Sequence, residues 1–373
     1  MTVEGVVAPG FEEVREEFAA VVAAELGLGA QLAVYRHGRQ VVDLWSGLAE
    51  DALLALYSSG KGAAHLVVAL LVQDGVLDLD RAVASYWPEF AAGGKERLTL
   101  RDLLAHRAGL VGVAGGFAAE ELADDRLLAA RLAGERPAFT DGYGYHALTI
   151  GALTGEVVRR ATGRTLREWY EERVRAPYGL DFHLGLPADL EPRYAPVQPA
   201  VSPPPTPEGL TALAFNTPLD LVAFANTRRV RELGQASAGS VGNARGLARL
   251  YAAAIGPVDG RPPLLGPAVL AEFTRPHSTG VDLVTGERDH FLLGFEAQGV
   301  RYAGLGADAF GHSGAVGAQA FADPSSGIAY SYTRRRFAVG GGGGAVENHR
   351  LVAAVLRAVA APNSNGRQRR HVQ

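Results

Sequence analysis

Two side chains with complementary chemistry, Ser58 and Lys61, stand three residues apart in the segment Ser58-Ser59-Gly60-Lys61. On a helix this spacing places both on one face, where their polar ends can meet. A serine hydroxyl becomes an effective nucleophile only when a neighbouring group accepts its proton. A lysine amine does this when burial lowers its pKa, and the apolar run 66–72 predicts such burial. The alternative is an ordinary surface helix start, because the tetrapeptide alone is not specific.

A tyrosine is the candidate for the second proton carrier. Tyr145 comes directly before a predicted helix, and a phenol beside a lysine can return a proton to a leaving group. Tyr143, two residues earlier, is the rival for this role. Either ring has the alternative of being a buried core aromatic. We favour Tyr145 because of its position against the helix predicted for 146–160.

The third segment comprises His312, Ser313 and Gly314, followed by Ala315, and it precedes a predicted strand hairpin. Small residues here let a strand pass close to a substrate, so all three are predicted substrate contacts. The backbone N–H groups of Ala315 and Ser58 would then form an oxyanion hole, often the largest electrostatic contribution to acyl transfer. His312 is predicted to orient the substrate or donate a hydrogen bond. The alternative is a histidine satisfied within its own strand.

Other catalytic motifs are absent from the sequence. It has no Gly-x-Ser-x-Gly nucleophile elbow, and Gly60-Lys61 lacks the rest of a phosphate-binding loop. The ten histidines show no metal-ligand spacing, so we expect no metal and no cofactor. Asp102, Asp220 and Asp323 are candidates for the acid of a Ser-His-Asp triad, and nothing in the sequence favours one of them.

Composition narrows the class of function. The chain has 373 residues, a formal net charge of −4 and no cysteine. This charge argues against a nucleic-acid partner, which requires a basic surface, and the missing cysteines exclude disulfides and thiolate sites. The first residues do not resemble a signal peptide, and no apolar run approaches the roughly 20 residues of a membrane span. The expectation is a cytoplasmic protein that acts on a small molecule, with neither a nucleic-acid nor a membrane partner.

The elements that must hold these residues follow from hydrophobic periodicity and turn signals. Helices are predicted at 11–26, 58–73, 146–160, 165–175, 243–254 and 347–360, with a capped helix start at Thr99. A strand hairpin is predicted from 31–35 and 40–45, and further strands over 310–332 around a turn at 323–327. The eight prolines from Pro192 to Pro218 predict an irregular crossing segment, and the glycines of 340–344 predict a mobile loop.

Strands and a helix at both chain ends enclose a mainly helical stretch without an internal repeat. This order predicts a mixed α/β (α+β) fold, with one sheet assembled from both ends of the chain and a separate helical domain. The predicted boundaries are 1–76 with 215–361 for the α/β domain, 77–214 for the helical domain and 362–373 for a disordered tail.

In this order and spacing, the segments resemble serine β-lactamases of class C type and penicillin-binding proteins, and especially the family VIII carboxylesterases. The likeness extends over roughly residues 11–361. It rests on these segments: Tyr57-Ser58-Ser59-Gly60-Lys61-Gly62, Gly75-Val76-Leu77-Asp78-Leu79-Asp80, Tyr86-Trp87-Pro88-Glu89-Phe90, 98–110, 145–151, 237–239 with 243–245, and 311–314. The resemblance implies a β-lactamase/transpeptidase-like fold, with an antiparallel sheet flanked by helices and the site in the cleft beside a helical domain.

The resemblance also implies roles. Ser58 would be the acylated nucleophile, Lys61 and Tyr145 its proton partners, and the N–H groups of Ser58 and Ala315 the oxyanion hole. Two positions depart from the lactamase pattern: Ala147 replaces the Asn of Tyr-x-Asn, and His312 replaces the Lys of Lys-Thr-Gly. The missing Asn amide would bind the acylamido group of a β-lactam. Histidine binds the β-lactam carboxylate more weakly than lysine does, and its charge depends on pH. Both departures predict poor binding of β-lactams.

The sequence therefore predicts a serine hydrolase that cleaves small carboxylic esters through an acyl-enzyme on Ser58. One alternative is an acyltransferase of the same mechanism, in which an amine or alcohol takes the acyl group instead of water. Another is a weak β-lactamase. The alternative of a different class is a non-catalytic binding protein on the same scaffold, which the intact Ser58, Lys61 and Tyr145 argue against.

Overall fold

A computed structural model describes residues 2–202, 205–288, 290–338 and 344–361 of the chain. The predicted tail at 362–373 and most of the predicted glycine loop, 340–343, lie outside the described residues. The strands are β1 Glu4–Val7, β2 Ala30–Arg36, β3 Arg39–Ser46, β4 Leu54–Ala55, β5 Phe182–His183, β6 Val241–Gly242, β7 Glu296–Ala297, β8 Phe310–Ser313, β9 Gln319–Asp323 and β10 Ile328–Arg334.

Two of the α-helices, α1 and α15, lie near the ends of the chain, and the others lie between them. They are α1 Glu12–Ala24, α2 Lys61–Gln73, α3 Leu100–Leu104, α4 Ala119–Ala123, α5 Asp125–Ala133, α6 Ile150–Thr162, α7 Leu166–Tyr170, α8 Ala176–Tyr178, α9 Gly209–Ala214, α10 Leu221–Asn226, α11 Arg228–Leu233, α12 Ala244–Ile255, α13 Pro267–Thr274, α14 Gln298–Arg301 and α15 Glu347–Ala360. A π-helical turn, Glu171–Arg175, joins α7 to α8, and short 3-10 turns occur at Tyr57–Gly60, Val83–Ser85, Pro88–Ala91 and Ala188–Arg193.

The main sheet has seven strands within the described residues, in the order β1-β3-β2-β10-β9-β8-β7. Every neighbouring pair is antiparallel. At its centre β2, from the start of the chain, pairs with β10, from its end, with Ala33 opposite Ser331. The expected mixed α/β fold, with an antiparallel sheet built from both chain ends, is confirmed. The exact domain boundaries stay a prediction.

Both faces of the sheet are covered, and side-chain size differs between them. On one face, large residues such as Leu32 and Tyr330 pack under α1 and α15. On the other, alternate positions carry small residues such as Ala33 and Ala329, which lets α12 pack closely. The strict alternation fixes the register, because a shift by one residue would exchange the two sets of side chains.

Helix α2 lies behind the candidate site and is buried from Lys61 to Leu71. It contacts α6, α7 and α13, so its apolar side chains are enclosed on several sides. Each large apolar side chain buried in this way contributes about 1.5–3 kcal/mol to folding. The helix is therefore a fixed support for its first residue, Lys61.

A second, three-stranded sheet leads the chain into the candidate site. Its strands β4, β6 and β5 are two residues long and pair in that order. Gly242 in the middle strand lies so close to Phe182 that a Cβ atom there would be 2.8 Å from its ring. After β4, the N–H of Leu56 donates to the carbonyl of Ser240 at 3.1 Å, which holds the approach to Ser58.

The predicted terminal elements agree closely with the structure. The first predicted helix is α1, the predicted hairpin is β2 with β3, and the closing helix occupies the predicted 347–360. The capped helix start at Thr99 is also confirmed, because its hydroxyl accepts the N–H of Asp102 at 3.1 Å.

Three local predictions were wrong. The helix predicted from Ser58 starts as a 3-10 turn and becomes α-helical at Lys61, and the helix predicted from 146 starts at Ile150. In both places the chain before the helix is bent by contacts with distant residues, described below. The proline-rich crossing segment contains helix α9, because the ten consecutive residues 208–217 are free of proline.

Candidate active site

Ser58, Lys61 and Tyr145 come together in a closed triangle of polar atoms. Ser58 Oγ lies 2.7 Å from both Lys61 Nζ and Tyr145 Oη, and Lys61 Nζ lies 2.9 Å from Tyr145 Oη. The structure places Tyr145 at this point and not its rival Tyr143, whose ring contacts Phe291 at 6.2 Å between centroids. Each of the three groups is thus within proton-transfer distance of the other two.

Lys61 is fully buried, and its amine has two further partners. It donates to the backbone carbonyls of Ala147 and Ser237, both at 2.8 Å. Burial holds the pKa of Lys61 well below its usual range, although the nearby Glu296 carboxylate opposes this shift. A neutral amine has two hydrogens and one lone pair, and the two carbonyls take both hydrogens. The single lone pair of that neutral amine is then left for the hydroxyl group of Ser58 or of Tyr145.

The turn that carries Ser58 has a strained backbone. Tyr57 has a φ of 48°, a left-handed conformation that costs a non-glycine residue on the order of 1–3 kcal/mol. The surroundings hold it there: its hydroxyl donates to the Leu221 carbonyl at 2.8 Å and its ring meets Phe337 edge-on at 5.6 Å. The Ser58 hydroxyl does not cap the helix, since no side-chain cap is formed there. It faces Lys61 and Tyr145 instead.

Two backbone N–H groups beside the triangle are available to a ligand. Within the described residues, neither the N–H of Ser58 nor that of Ala315 donates a hydrogen bond to a protein atom. Strand β8 packs against the Tyr57–Gly60 turn. A Cβ atom on Gly314 would lie 2.5 Å from the Leu56 carbonyl oxygen, so only glycine allows this approach. The arrangement suits an oxyanion hole, and that role stays a prediction.

His312 and Ser313 lie within β8, and Gly314 begins the turn to β9, so the segment precedes the β9–β10 hairpin as predicted. His312 is fully buried, with Nδ1 2.8 Å from the Ser313 carbonyl and 3.1 Å from Glu296 Oε1. Both partners are acceptors when Glu296 is ionised, so Nδ1 carries a hydrogen. Burial lowers the pKa of His312 to about 4, despite the opposing charge of Glu296. The ring is therefore neutral at pH 7.

The predicted substrate contacts of this strand stay predictions. The His312 ring lies beneath Tyr145, with 5.7 Å between centroids, and has no exposed surface. The Ser313 hydroxyl donates to Glu296 at 2.7 Å. The hydrogen bonds give both side chains a supporting place below the site, while Gly314 packs against the backbone of Leu56.

The Tyr145 ring is held by other rings. It stacks on Phe291, with centroids 5.7 Å apart and an interplanar angle of 10°, and meets His106 edge-on at 5.5 Å. Phe215 lies 6.4 Å away at the end of α9. Such aromatic contacts restrict the ring to one orientation, which keeps the phenol hydroxyl at the triangle.

The three aspartates considered as triad acids have local structural roles. Asp102 completes the capping box of α3, Asp220 accepts the N–H groups that begin α10, and Asp323 accepts hydrogen bonds in the β9–β10 turn. Among the described residues none of them contacts a histidine or Ser58 through its side chain. In the part of the chain that the structure describes, these three aspartates therefore form no Ser-His-Asp triad.

Several residues of the site carried no signal in the sequence. They are Glu296, Asp282 and Phe291. All reach the site from irregular segments or two-residue strands, where periodicity says nothing. In the part of the chain that the structure describes, no group of three or more His, Asp or Glu side chains could hold a metal ion. Nor does any helix there have the length and apolar character needed to cross a membrane.

Comparison with known proteins agrees with this geometry. The family described as Beta-lactamase matches residues 17–358. The protein named Esterase/beta-lactamase LipL, from Mycobacterium tuberculosis, is 30% identical over 370 residues, covering 89% of this chain and 82% of that protein. The structure of EstA from Arthrobacter nitroguajacolicus Rue61a superposes with a TM-score of 0.90 at 39% identity, over 96% of this chain and 99% of that chain. A structure described as a family VIII carboxylesterase gives 0.89 at 34%, over 96% and 100%.

Proposed function

The chain belongs to the beta-lactamase family, as the resemblance in its sequence indicated, and on this premise we propose that it is a serine hydrolase of small carboxylic esters. One observation carries the proposal: the closed triangle of Ser58, Lys61 and Tyr145, in which a buried amine lies within hydrogen-bond distance of both hydroxyl groups. The names of the relatives, esterase and carboxylesterase, support the same class of reaction.

Acylation begins when Ser58 Oγ attacks the carbonyl carbon of the ester. The hydroxyl proton passes to the Lys61 amine, directly or through Tyr145, while the carbonyl oxygen becomes an oxyanion. The N–H groups of Ser58 and Ala315 stabilise that charge, because among the described residues neither donates to a protein acceptor. When the intermediate collapses, the bond to the alcohol oxygen breaks. The alcohol leaves with the proton returned from Lys61 through Tyr145.

Deacylation repeats the sequence with water as the attacking group. The water gives its proton to the Tyr145–Lys61 pair as its oxygen bonds to the acyl carbon. The bond between that carbon and Ser58 Oγ then breaks, and the proton returns to Ser58. The products are a carboxylic acid and the free enzyme, so the step needs no cofactor or metal.

The site favours uncharged esters over β-lactams. A β-lactam antibiotic carries a carboxylate, and the residue in the position of the lactamase lysine is His312, buried and neutral at pH 7. Burial raises the pKa of Glu296, but His312, Arg301 and hydrogen bonds to the carboxylate lower it by more. Glu296 is therefore ionised, and it would repel a second carboxylate. At the position of the lactamase amide, Ala147 offers only its carbonyl, which is bonded to Lys61. We expect nitrocefin to be turned over far more slowly than p-nitrophenyl butyrate.

The deciding experiment is hydrolysis of p-nitrophenyl butyrate by the wild type and by Ser58→Ala. We expect the variant to lose at least about 10³-fold in kcat/KM, because the nucleophile is gone. The matched control is Ser59→Ala, which removes a fully buried neighbouring hydroxyl with no partner among the described residues. Mass spectrometry of the quenched reaction should find the butyryl group on the peptide that contains Ser58. Equal activity in the wild type and Ser58→Ala would refute the proposal.

The same acyl-enzyme can pass its acyl group to an alcohol or amine. Adding methanol or a primary amine to the assay and measuring ester or amide product against free acid would separate transferase from hydrolase. A cytoplasmic location and the lack of a nucleic-acid partner belong to the proposal, the second supported by the net charge of −4. Cell fractionation tests the first.

A further inference from the structure

Tyr145 stands on a backbone without regular structure. The segment between Gly142, whose φ is 80°, and the start of α6 at Ile150 is neither helix nor strand. A buried backbone N–H in such a segment needs an acceptor from elsewhere in the chain. The position of the phenol therefore depends on whatever holds this backbone.

The acceptor for the Tyr145 N–H is the carboxylate of Asp282. The Tyr145 nitrogen lies 3.0 Å from one carboxylate oxygen and 3.2 Å from the other. Asp282 is fully buried, and one of its oxygens also accepts from the N–H groups of Val284 at 2.7 Å and Thr285 at 3.1 Å. Burial raises the pKa of Asp282, and the hydrogen bonds from the three backbone N–H groups oppose that shift. Because the three N–H groups converge on one carboxyl group, Asp282 joins the two segments.

The loop that carries Asp282 is closed on itself and tied again to the tyrosine segment. The N–H of Asp282 donates to the Glu287 carbonyl, and the carbonyl of Asp282 accepts the N–H of Gly286, both at 2.9 Å. The N–H of Leu283 donates to the carbonyl of Tyr143 at 3.0 Å. The Thr211 hydroxyl of α9 donates to the Val284 carbonyl, which fixes the far side of the loop. Asp282 is thus held in place independently of Tyr145.

We propose that Asp282 is a positioning residue for the reaction, which sets the place of the Tyr145 phenol by holding the backbone N–H of Tyr145. The inference rests on the proposed ester hydrolysis. Proton transfer depends steeply on distance, and a shift of about 1 Å in a reacting group can cost on the order of 10²-fold in rate. A loosened Tyr145 would weaken catalysis without removing any group that contacts the substrate.

Steady-state kinetics with p-nitrophenyl butyrate provide the first test. We expect Asp282→Ala to lower kcat by about 10–100-fold while KM changes by less than about threefold. Asp282→Asn keeps one acceptor oxygen, so its kcat should lie between those of the wild type and Asp282→Ala. This variant serves as the test if the alanine variant does not fold. The matched control is Asp323→Ala, which removes an equally buried aspartate that accepts hydrogen bonds in the β9–β10 turn. A kcat loss in the Asp282 variants no greater than in Asp323→Ala overturns the inference.

A double-mutant cycle separates positioning from a general loss of stability. If Asp282 acts through the phenol, its substitution should cost less than about threefold in kcat once Tyr145→Phe has removed the hydroxyl. An undiminished cost in that background shows that Asp282 acts by another route.

Hydrogen exchange tests the contact without relying on catalysis. Mass spectrometry of the peptide spanning 143–147 should show faster amide exchange in Asp282→Ala than in the wild type or Asp323→Ala, because the Tyr145 N–H loses its acceptor. Unchanged exchange would overturn the inference even if the esterase is active. Faster exchange in a protein without Ser58-dependent esterase activity would support the positioning contact while refuting the proposed function.

Discussion

Ser58 and the Tyr145 phenol that faces it are supported in opposite ways. Ser58 and Lys61 lie on one continuous turn and helix, so the backbone hydrogen bonds of that element fix their separation. Tyr145 comes from an irregular segment, and side chains from distant parts of the chain hold its backbone. Besides Asp282, His106 takes part: its Nδ1 accepts the N–H of His146 at 3.1 Å.

The second support depends on protonation state, whereas the first does not. His146 Nε2 accepts the N–H of Leu110 at 3.1 Å, and its Nδ1 donates to the Gly144 carbonyl at 2.7 Å. Both histidines must be neutral to accept these hydrogen bonds. Burial is the main cause that lowers the pKa of His146 to about 4 and that of His106 well below its usual value. The hydrogen bonds that hold the tyrosine segment are therefore lost when these histidines become protonated at low pH.

Removing the amine at the start of the helix should have the largest effect. Lys61→Met leaves no group to take the Ser58 proton, and we expect kcat/KM to fall by about 10³-fold or more. Lys95→Met is the matched control, because Lys95 is also fully buried and its amine also donates to backbone carbonyls, those of Ala92, Ala133 and Glu135. It should lower Tm and leave kcat/KM within about threefold. Similar activity losses in Lys61→Met and Lys95→Met would contradict a specific catalytic role for Lys61.

Removing the phenol should cost less than removing the amine. Tyr145→Phe keeps the ring contacts, and Lys61 still reaches Ser58 directly at 2.7 Å, so we expect a loss in kcat of about 10²-fold. Tyr143→Phe is the control, since its ring also lies against Phe291. Greater loss in Tyr143→Phe than in Tyr145→Phe would show that the other tyrosine carries the proton.

The smallest effect is the acid sensitivity of the buried histidines. Their folded pKa values are lowered, to about 4 for His146 and His312 and about 3 for His65, so the unfolded chain takes up protons first as the pH falls. Stability is fully present above about pH 6.5 and is lost as the pH falls towards 4, with a slope approaching about 1.4 kcal/mol per pH unit for each histidine. Urea unfolding between pH 7.5 and 4.5 measures this.

A single substitution sharpens the pH experiment. His146→Gln keeps an acceptor for the Leu110 N–H but cannot take up a proton. Its unfolding free energy should therefore depend on pH less steeply than that of the wild type, and the difference should equal about the contribution of one histidine. An identical pH dependence would show that the tyrosine segment is not where acid acts.

The contrast between the two supports explains what the sequence could predict. The Ser58–Lys61 contact follows from spacing along one element, and sheet assembly from both ends follows from the alternating strands 31–35 and 40–45 and the strands near 310–332. Asp282 stands 137 residues from Tyr145 in the chain, so no local pattern links them. The same applies to Glu296 on a two-residue strand. The boundaries near Ser58 and Tyr145 were misplaced because long-range contacts bend the chain there.

The sheet assembled from both ends has a consequence for biosynthesis. The ribosome makes Ser58, Lys61 and the hairpin β2–β3 early, but β10, the partner of β2, and Ala315, whose N–H we propose as the second oxyanion donor, come near the end. A nascent chain that stops short of β8 carries the serine and lacks the N–H that would stabilise a tetrahedral intermediate. The reactive centre is thus completed only after the helical layer has been synthesised, and truncated translation products would be inert toward esters.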